Sequence, residues 1–159
     1  MKILIVSDTH GRLANLEEVL EREGEIDMLL HLGDLENEEY SIEAIAEWPC
    51  YMVAGNNDLF SYLPKEQEIQ VGKYKVWMTH GHQYYVSMGT SRLKEAAKAR
   101  GVDIALFGHT HKPCVDDSDS PILINPGSIS YPRQEGRKAS YVVMEIDKDG
   151  NVQFHLNYI

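Results

Sequence analysis

Apolar residues fall along this chain in short blocks, and each block stops abruptly at polar residues or glycine. The first, Lys2 to Val6, is β-branched and almost continuously apolar, as a strand buried on both faces requires. Leu13, Leu16, Val19 and Leu20 follow at helical spacing and end near Gly24. Asp27 to Leu32 is a second apolar run. Glu38 to Trp48 then carries Ile42, Ile45 and Ala46 on one helical face before Pro49 halts it. Tyr51 to Ala54 makes a third short strand. Strand, helix, strand, helix, strand predicts βαβ units and a mostly parallel sheet.

The pattern then changes. Glu66–Val71 and Tyr74–Thr79 flank Gly72-Lys73, the pattern of a tight hairpin. Ser91 to Arg100 predicts a helix with Thr90 or Ser91 as N-cap and Gly101 just past its end. Asp103–Phe107 reads as another buried strand, followed by Ile122–Ile124, Ser140–Ile146 and Val152–Leu156. Asp147-Lys148-Asp149-Gly150 joins the last two as a turn. No repeat, linker or low-complexity stretch interrupts the chain, so residues 1–159 read as one α/β domain, parallel first and antiparallel later.

What ends each strand is informative. Val6 leads to Ser7-Asp8-Thr9-His10, Leu32 to Gly33-Asp34, and Ala54 to Gly55-Asn56-Asn57-Asp58. Met78 leads to Thr79-His80-Gly81-His82, and Phe107 to Gly108-His109-Thr110-His111. In open α/β sheets the functional crevice lies at the carboxyl ends of the strands, so these clusters can converge there. Carboxylate, carboxamide and imidazole together suit Mn²⁺, Fe, Ni²⁺, Zn²⁺ or Mg²⁺. In an extended segment residues i and i+2 point the same way, which lets Asp8 and His10 grip one ion, as can His109 and His111. The donors outnumber what one tetrahedral ion needs, which favours two metals with a bridging carboxylate, and Asp34 is the natural bridge. His31 and His155 sit inside apolar strands and read as non-ligating histidines.

Fifteen basic and 25 acidic residues give a net charge of −10. Sixteen of the acids lie between Asp8 and Glu68, mostly on the early helices. Such a surface lacks the basic track that holds long nucleic acid. No apolar run approaches the roughly 18 residues a membrane span needs, and Met1–Val6 soon meets Ser7-Asp8, so neither a membrane anchor nor a secretory leader is expected. Cys50 and Cys114 have no metal-type spacing and read as free thiols of a cytoplasmic protein.

In order and spacing, Asp8-Thr9-His10, Gly33-Asp34, Gly55-Asn56-Asn57-Asp58, His80-Gly81-His82 and Gly108-His109-Thr110-His111 resemble the calcineurin-like metallophosphoesterase superfamily. Ser7–Gly11 and Asn125-Pro126-Gly127-Ser128, with the short length, look like its small bacterial phosphodiesterase branch, the YfcE/MJ0936-like family. The resemblance runs from Lys2 to the Ser140–Leu156 hairpin. It implies a two-sheet β-sandwich flanked by helices, with a dinuclear metal centre at one edge. Asp8, His10 and His111 would hold one metal, Asn56, His80 and His109 the other, and Asp34 would bridge them. The implied activity is hydrolysis of small phosphate esters, often stimulated by Mn²⁺, with Ni, Fe, Zn, Co or Mg as other candidates, through a metal-bridging hydroxide. The two cations would neutralise Asp8 and Asp34, so the acidic balance does not exclude phosphate chemistry and narrows it to small substrates.

One departure marks the chain. Asn57 stands where the superfamily usually has His, and a carboxamide cannot donate a proton to a leaving group. Asn57 then becomes a hydrogen-bond donor to a phosphoryl oxygen, Asp58 a partner of Asn57 or of a ligand histidine, and His82 a candidate proton source. Arg12 and Arg133 are candidates to bind phosphate. Asn125–Ser128 reads as a turn closing the site edge, and Tyr84-Tyr85 as a substrate wall or as packing. A homo-oligomer is compatible with Trp48, Trp77, Tyr84 and Tyr85, none of which forms an interface stripe. Two rival readings are a non-catalytic, Vps29-like protein scaffold of the same fold and a dinuclear hydrolase of amides or lactones.

Overall fold

Residues 3 to 6 are apolar at every position because both faces of their strand are covered. In the computed structural model, which describes residues 1–159, β1 (Lys2–Val6) pairs in parallel with β2 (Met28–His31), and β2 with β3 (Cys50–Met52). On its other edge β1 pairs antiparallel with β9 (Ser140–Ile146), and β9 with β10 (Val152–Tyr158). The first sheet therefore has the order β10-β9-β1-β2-β3. The second has the order β4-β5-β6-β8-β7, from β4 (Glu66–Val71), β5 (Tyr74–Thr79), β6 (Ile104–Leu106), β7 (Pro113–Asp116) and β8 (Ile122–Pro126).

Alternate residues of these strands enter different cores. Ile3, Ile5, Leu30 and Leu32 of the first sheet meet Val76, Met78, Ile104, Leu106 and Ile124 of the second. Leu4, Val6 and Leu29 point outward instead, where Leu16 and Val19 of α1 (Ala14–Glu23) and Ile42 of α2 (Glu39–Ile45) cover them. Trp77, Ala105 and Leu123 are covered by Leu93 and Ala97 of α3 (Ser91–Arg100). The result is four layers, helices on each outer face of a two-sheet sandwich. No helix is long and apolar enough to cross a membrane.

Several details differ from the sequence reading. β8 runs parallel to β6, so the second sheet keeps a parallel centre, β5-β6-β8, between antiparallel edges. The strand β7 has no counterpart in the apolar pattern, because it is a short, half-buried edge that opens on proline and contains no fully buried residue. α2 stops at Ile45 rather than at Trp48. The residue before a proline avoids the helical region, and the Pro49 carbonyl is needed by Leu29 N at 3.0 Å to start β3. β3 likewise ends at Met52, since Ala54 N turns away to Pro64 O at 2.8 Å. Thr90 occupies the N-cap of α3 but makes no side-chain cap, whereas Gly101 closes the helix at φ +64° as expected.

Candidate metal centre

β1, β2, β3, β5 and β6 all deliver their carboxyl ends to one edge of the sandwich, and the polar clusters sit in the loops that follow. These segments are not extended. Asp8, His10, Asp34, His109 and His111 all hold left-handed φ values, from 48° to 68°. Asp8 and His10 are therefore brought together by a turn and not by strand alternation, whereas His109 and His111 part, His111 facing His10 and His109 facing His80. A left-handed non-glycine residue costs on the order of 1 kcal/mol and persists only where its surroundings impose it. Here Asp8 N donates to Gly33 O at 3.0 Å, His10 N to Asp34 O at 2.9 Å and Gly108 N to His80 O at 3.1 Å. Close approach sets the glycines too. A Cβ at Gly55 would collide with the Asp34 carboxylate, and one at Gly108 with Ser7 Oγ.

One group of donors is tight. Ligand atoms of Asp8, His10, Asp34 and His111 all lie within 4.8 Å of one another. His10 Nδ1 lies 2.7 Å from Glu36 Oε1, and His111 Nδ1 lies 2.7 Å from Tyr131 O. Both acceptors fix the proton on Nδ1, so the two Nε2 lone pairs face each other at 3.2 Å. His111 Nε2 is also 3.1 Å from Asp8 Oδ1. Neither oxygen of the fully buried Asp8 has a hydrogen-bond partner. Converging lone pairs and an unpaired buried carboxylate repel one another unless a cation lies among them, so this donor set fits a metal ion.

A second group surrounds His80, which is completely buried. Its Nδ1 lies 2.7 Å from Leu32 O, which leaves Nε2 facing Asp34 Oδ2 at 3.4 Å and Asp8 Oδ1 at 4.0 Å. The His109 ring is 5.2 Å from that of His80, and the His82 ring 5.5 Å. Asp34 and Asp8 thus lie between two sets of imidazoles. Asn56 stands exposed on the next loop, its carboxamide making no hydrogen bond to the cluster.

The electrostatics agree with a cation-binding centre. Burial would raise the Asp8 pKa, but its contact with His111 and the charge of His80 outweigh it and hold the carboxyl below its ordinary value. Asp34 is likewise held low against its burial, by His80 and by the Asn57 amide. Burial alone would depress His80, yet Asp34 and Asp8 raise it, so a proton competes with any metal for Nε2. His109 and His82 are both depressed, by burial and by the neighbouring His80.

Other expected site residues are placed differently. Asp58 is a correction: its carboxylate accepts from the backbone amides of Leu35, Glu36 and Gly55 at 2.7–2.9 Å and touches neither Asn57 nor a histidine. It clamps the Asp34 loop to the Asn56 loop. The Asn57 carboxamide donates to Asp34 Oδ2 at 2.7 Å, and its backbone N to Oδ1 at 2.9 Å. The Arg12 guanidinium stacks 4.5 Å over Tyr131, whose ring edge meets His10. Arg133 lines a cleft of about 730 Å³ beside His10 and His111. Tyr84 packs edge-on against buried Trp77 and donates to Glu66, whereas Tyr85 is exposed and carries the Arg92 guanidinium 4.6 Å over its ring.

The Asn125–Ser128 turn is structural. Asn125 Nδ2 donates to Gly108 O and Ser128 Oγ to Asp8 O, stapling two ligand loops together. His31 is buried, with Nδ1 accepting from Gly33 N and Nε2 beside Thr9 Oγ1. His155 is a surface partner of Glu145, and both cysteines are free. Glu36 and Arg137 were not singled out from the sequence. Glu36 follows Asp34 by two residues in a glutamate-rich stretch, and Arg137 lies in a loop without periodicity, so neither carries a signal of its own.

Comparison with known proteins identifies the relatives of this arrangement. Residues 1–149 match the calcineurin-like phosphoesterase superfamily domain. The chain is 32% identical to the probable metallophosphoesterase YsnB of Bacillus subtilis, over 98% of this chain and 90% of that protein. It is 29% identical to the phosphodiesterase YfcE of Escherichia coli, over 92% and 89% respectively. Among solved structures, a Vps29 variant from Entamoeba histolytica superposes with a TM-score of 0.79 and 26% identity, covering 100% of this chain and 99% of that one.

Proposed function

The chain belongs to the calcineurin-like phosphoesterase superfamily, and from that premise we propose that it is a metal-dependent hydrolase of small phosphodiesters, built as one domain around two divalent cations. Asp8, His10 and His111 would hold one cation and Asn56, His80 and His109 the other, with Asp34 shared. Two such cations would acidify water for attack on phosphorus and neutralise the phosphoryl oxygens. Mn²⁺ is the ion the family resemblance favours, and the mixed oxygen and nitrogen donors equally accommodate Fe, Ni, Zn, Co or Mg. The observation that carries this reading is the convergence of the His10, His111 and His80 Nε2 atoms on the carboxylates of Asp8 and Asp34.

The remaining residues position the ester and manage its proton. Arg133 stands at the cleft beside His10 and His111 and can bind a non-bridging oxygen. Asn57 can offer a hydrogen bond from its carboxamide as charge develops, but no proton. His82 is the titratable neighbour of the His80 and His109 rings that the proposed ligand set leaves unused. Its depressed pKa keeps it neutral at neutral pH, so it holds little acid for a poor leaving group. The site is therefore suited to esters whose leaving group needs no protonation, such as aryl phosphodiesters.

The test is metal content and turnover of bis-p-nitrophenyl phosphate in metal-defined buffer with Mn²⁺, Co²⁺, Ni²⁺ or Mg²⁺. Stoichiometric metal with metal-dependent turnover supports the reading. Bound metal without turnover under any of these ions sinks it in favour of a protein scaffold related to Vps29. That second reading has one observation of its own, the exposed Leu59 (79%) and Phe60 (95%) immediately after the Asn56–Asp58 loop.

A further inference from the structure

The basic side chains of this acidic protein are not evenly spread around the centre. The cleft beside His10 and His111 is walled by Ser130, Tyr131, Pro132, Arg133 and Arg137, together with Glu36. Neither Arg133 nor Arg137 forms an ion pair with any carboxylate, whereas Glu36, the cleft's only acid, is held by His10 at 2.7 Å. Both guanidiniums are thus left without a carboxylate partner on the wall of this cleft.

The loop that carries them is fixed to the metal centre rather than loose. Arg133 N donates to His111 O at 2.9 Å, and the Tyr131 carbonyl orients the His111 ring. Ser128 Oγ receives the Tyr131 amide at 2.7 Å while donating to Asp8 O. Ser130 Oγ donates to Arg12 O at 3.2 Å, and Arg137 N closes a turn on Gln134 O at 3.1 Å. The arginines therefore stand next to the ligand loops, lining the cleft together with His10 and His111.

We infer that Arg133 and Arg137 form an anion subsite beside the metal centre, which selects phosphate esters carrying a second phosphate group. Its substrate class is a short diester with a terminal phosphate, such as a 5′-phosphorylated dinucleotide, in preference to esters with one phosphorus. The inference rests on the phosphoesterase reading for the scissile group. It adds the second group, held by Arg137 with Arg133 shared between the two. A −10 chain gives a more highly charged ligand no long-range advantage, so any preference for it must arise locally.

The test is calorimetric binding of adenosine 5′-monophosphate and adenosine 3′,5′-bisphosphate to the full-length, Mn²⁺-loaded protein and to Arg137→Gln, Arg137→Lys and Arg133→Gln. The bisphosphate is expected to bind about tenfold more tightly than the monophosphate to the wild type, as one charge-assisted contact provides. Arg137→Gln should bring the two ligands to within about twofold, and Arg137→Lys should keep part of the difference. Both arginines are exposed, so neither substitution threatens folding. A bisphosphate that binds no tighter than the monophosphate, or a preference that survives both glutamine variants, overturns the subsite. Turnover of bis-p-nitrophenyl phosphate is read separately. Turnover without the preference removes only the subsite, and the preference without turnover removes the phosphodiesterase reading while leaving the subsite.

Discussion

The two halves of the candidate centre are built to different tolerances. On the His10–His111 side each imidazole has its Nδ1 engaged, and the four donor side chains already crowd within 4.8 Å. On the other side only His80 is oriented, by Leu32 O, while His109 and Asn56 make no side-chain hydrogen bond. A preformed site pays its ordering cost during folding, whereas a loose one must restrict its side chains when the ion arrives, at roughly 0.5–1.5 kcal/mol for each. Under the proposed two-cation reading, the difference would make one site tight and the other weak, with Asp34 shared between them.

The variant that tests both halves at once is Asp34→Asn. Asp34 lies between the imidazole sets, 3.4 Å from His80 Nε2 and 3.8 Å from His10 Nε2. Removing its charge should lower metal-dependent turnover by roughly three orders of magnitude and reduce bound metal, because both sites lose a ligand. Turnover near that of the wild type in metal-defined buffer would remove the shared carboxylate from the reading.

The asymmetry itself is tested by paired substitutions. Mn²⁺ titration of the wild type should resolve two affinities. His111→Ala should abolish the tighter one, weakening it by roughly two orders of magnitude or more, whereas Asn56→Ala should weaken only the looser one, by about tenfold. Two equal affinities, or an Asn56→Ala variant that loses the tight site, would contradict the contrast between the halves.

What could be read from the chain follows the same line of division. The apolar blocks ending in Asp or His were legible because strand burial and strand ends leave local marks, as in Val6-Ser7-Asp8 and Phe107-Gly108-His109. How those donors meet was not, since the turns at Asp8 and His111 are held by backbone hydrogen bonds to Gly33 and Arg133, and the His111 ring is oriented by Tyr131, all far away in sequence. Asp58 shows the limit most clearly. A carboxylate two residues after Asn56 can face the site or the backbone, and only the neighbouring amides of Leu35, Glu36 and Gly55 decide between them. β7 left no such mark because a four-residue, half-buried edge strand has no fully buried face to impose a pattern.

A smaller effect concerns the clamp behind the tight half. His31 joins the Thr9 and Gly33 loops, and burial pushes its pKa down to about 4 although Asp8 and Asp34 pull the other way. The unfolded chain takes up this proton near its ordinary 6.5 and the folded chain only near 4, so between those values the unfolded state binds more protons. Stability contributed by neutral His31 is therefore present above pH 6.5 and lost as pH falls toward 4, by about 2 to 3 kcal/mol. Chemical denaturation of wild type and His31→Gln across this range should show the two curves converging as pH falls. Parallel curves would mean that His31 is not held neutral by the fold.

The smallest expected effect is at Glu36, and it separates orientation of a ligand from its charge. Glu36 Oε1 meets His10 Nδ1 at 2.7 Å, but the carboxylate is nearly half exposed, so solvent screens its charge and can replace its hydrogen bond. Glu36→Gln keeps an acceptor for Nδ1–H through the amide oxygen, and the ring should stay in place, with the tight Mn²⁺ affinity falling about threefold. Glu36→Ala frees the ring to rotate, and the affinity should fall about tenfold, toward the looseness of the His109 side. If the preorganised half owes its tightness to orientation, the two variants must differ in this order. Equal losses would place the advantage in the carboxylate charge, and no loss in either would show that the Asp8–His111 contact alone holds the tight site together.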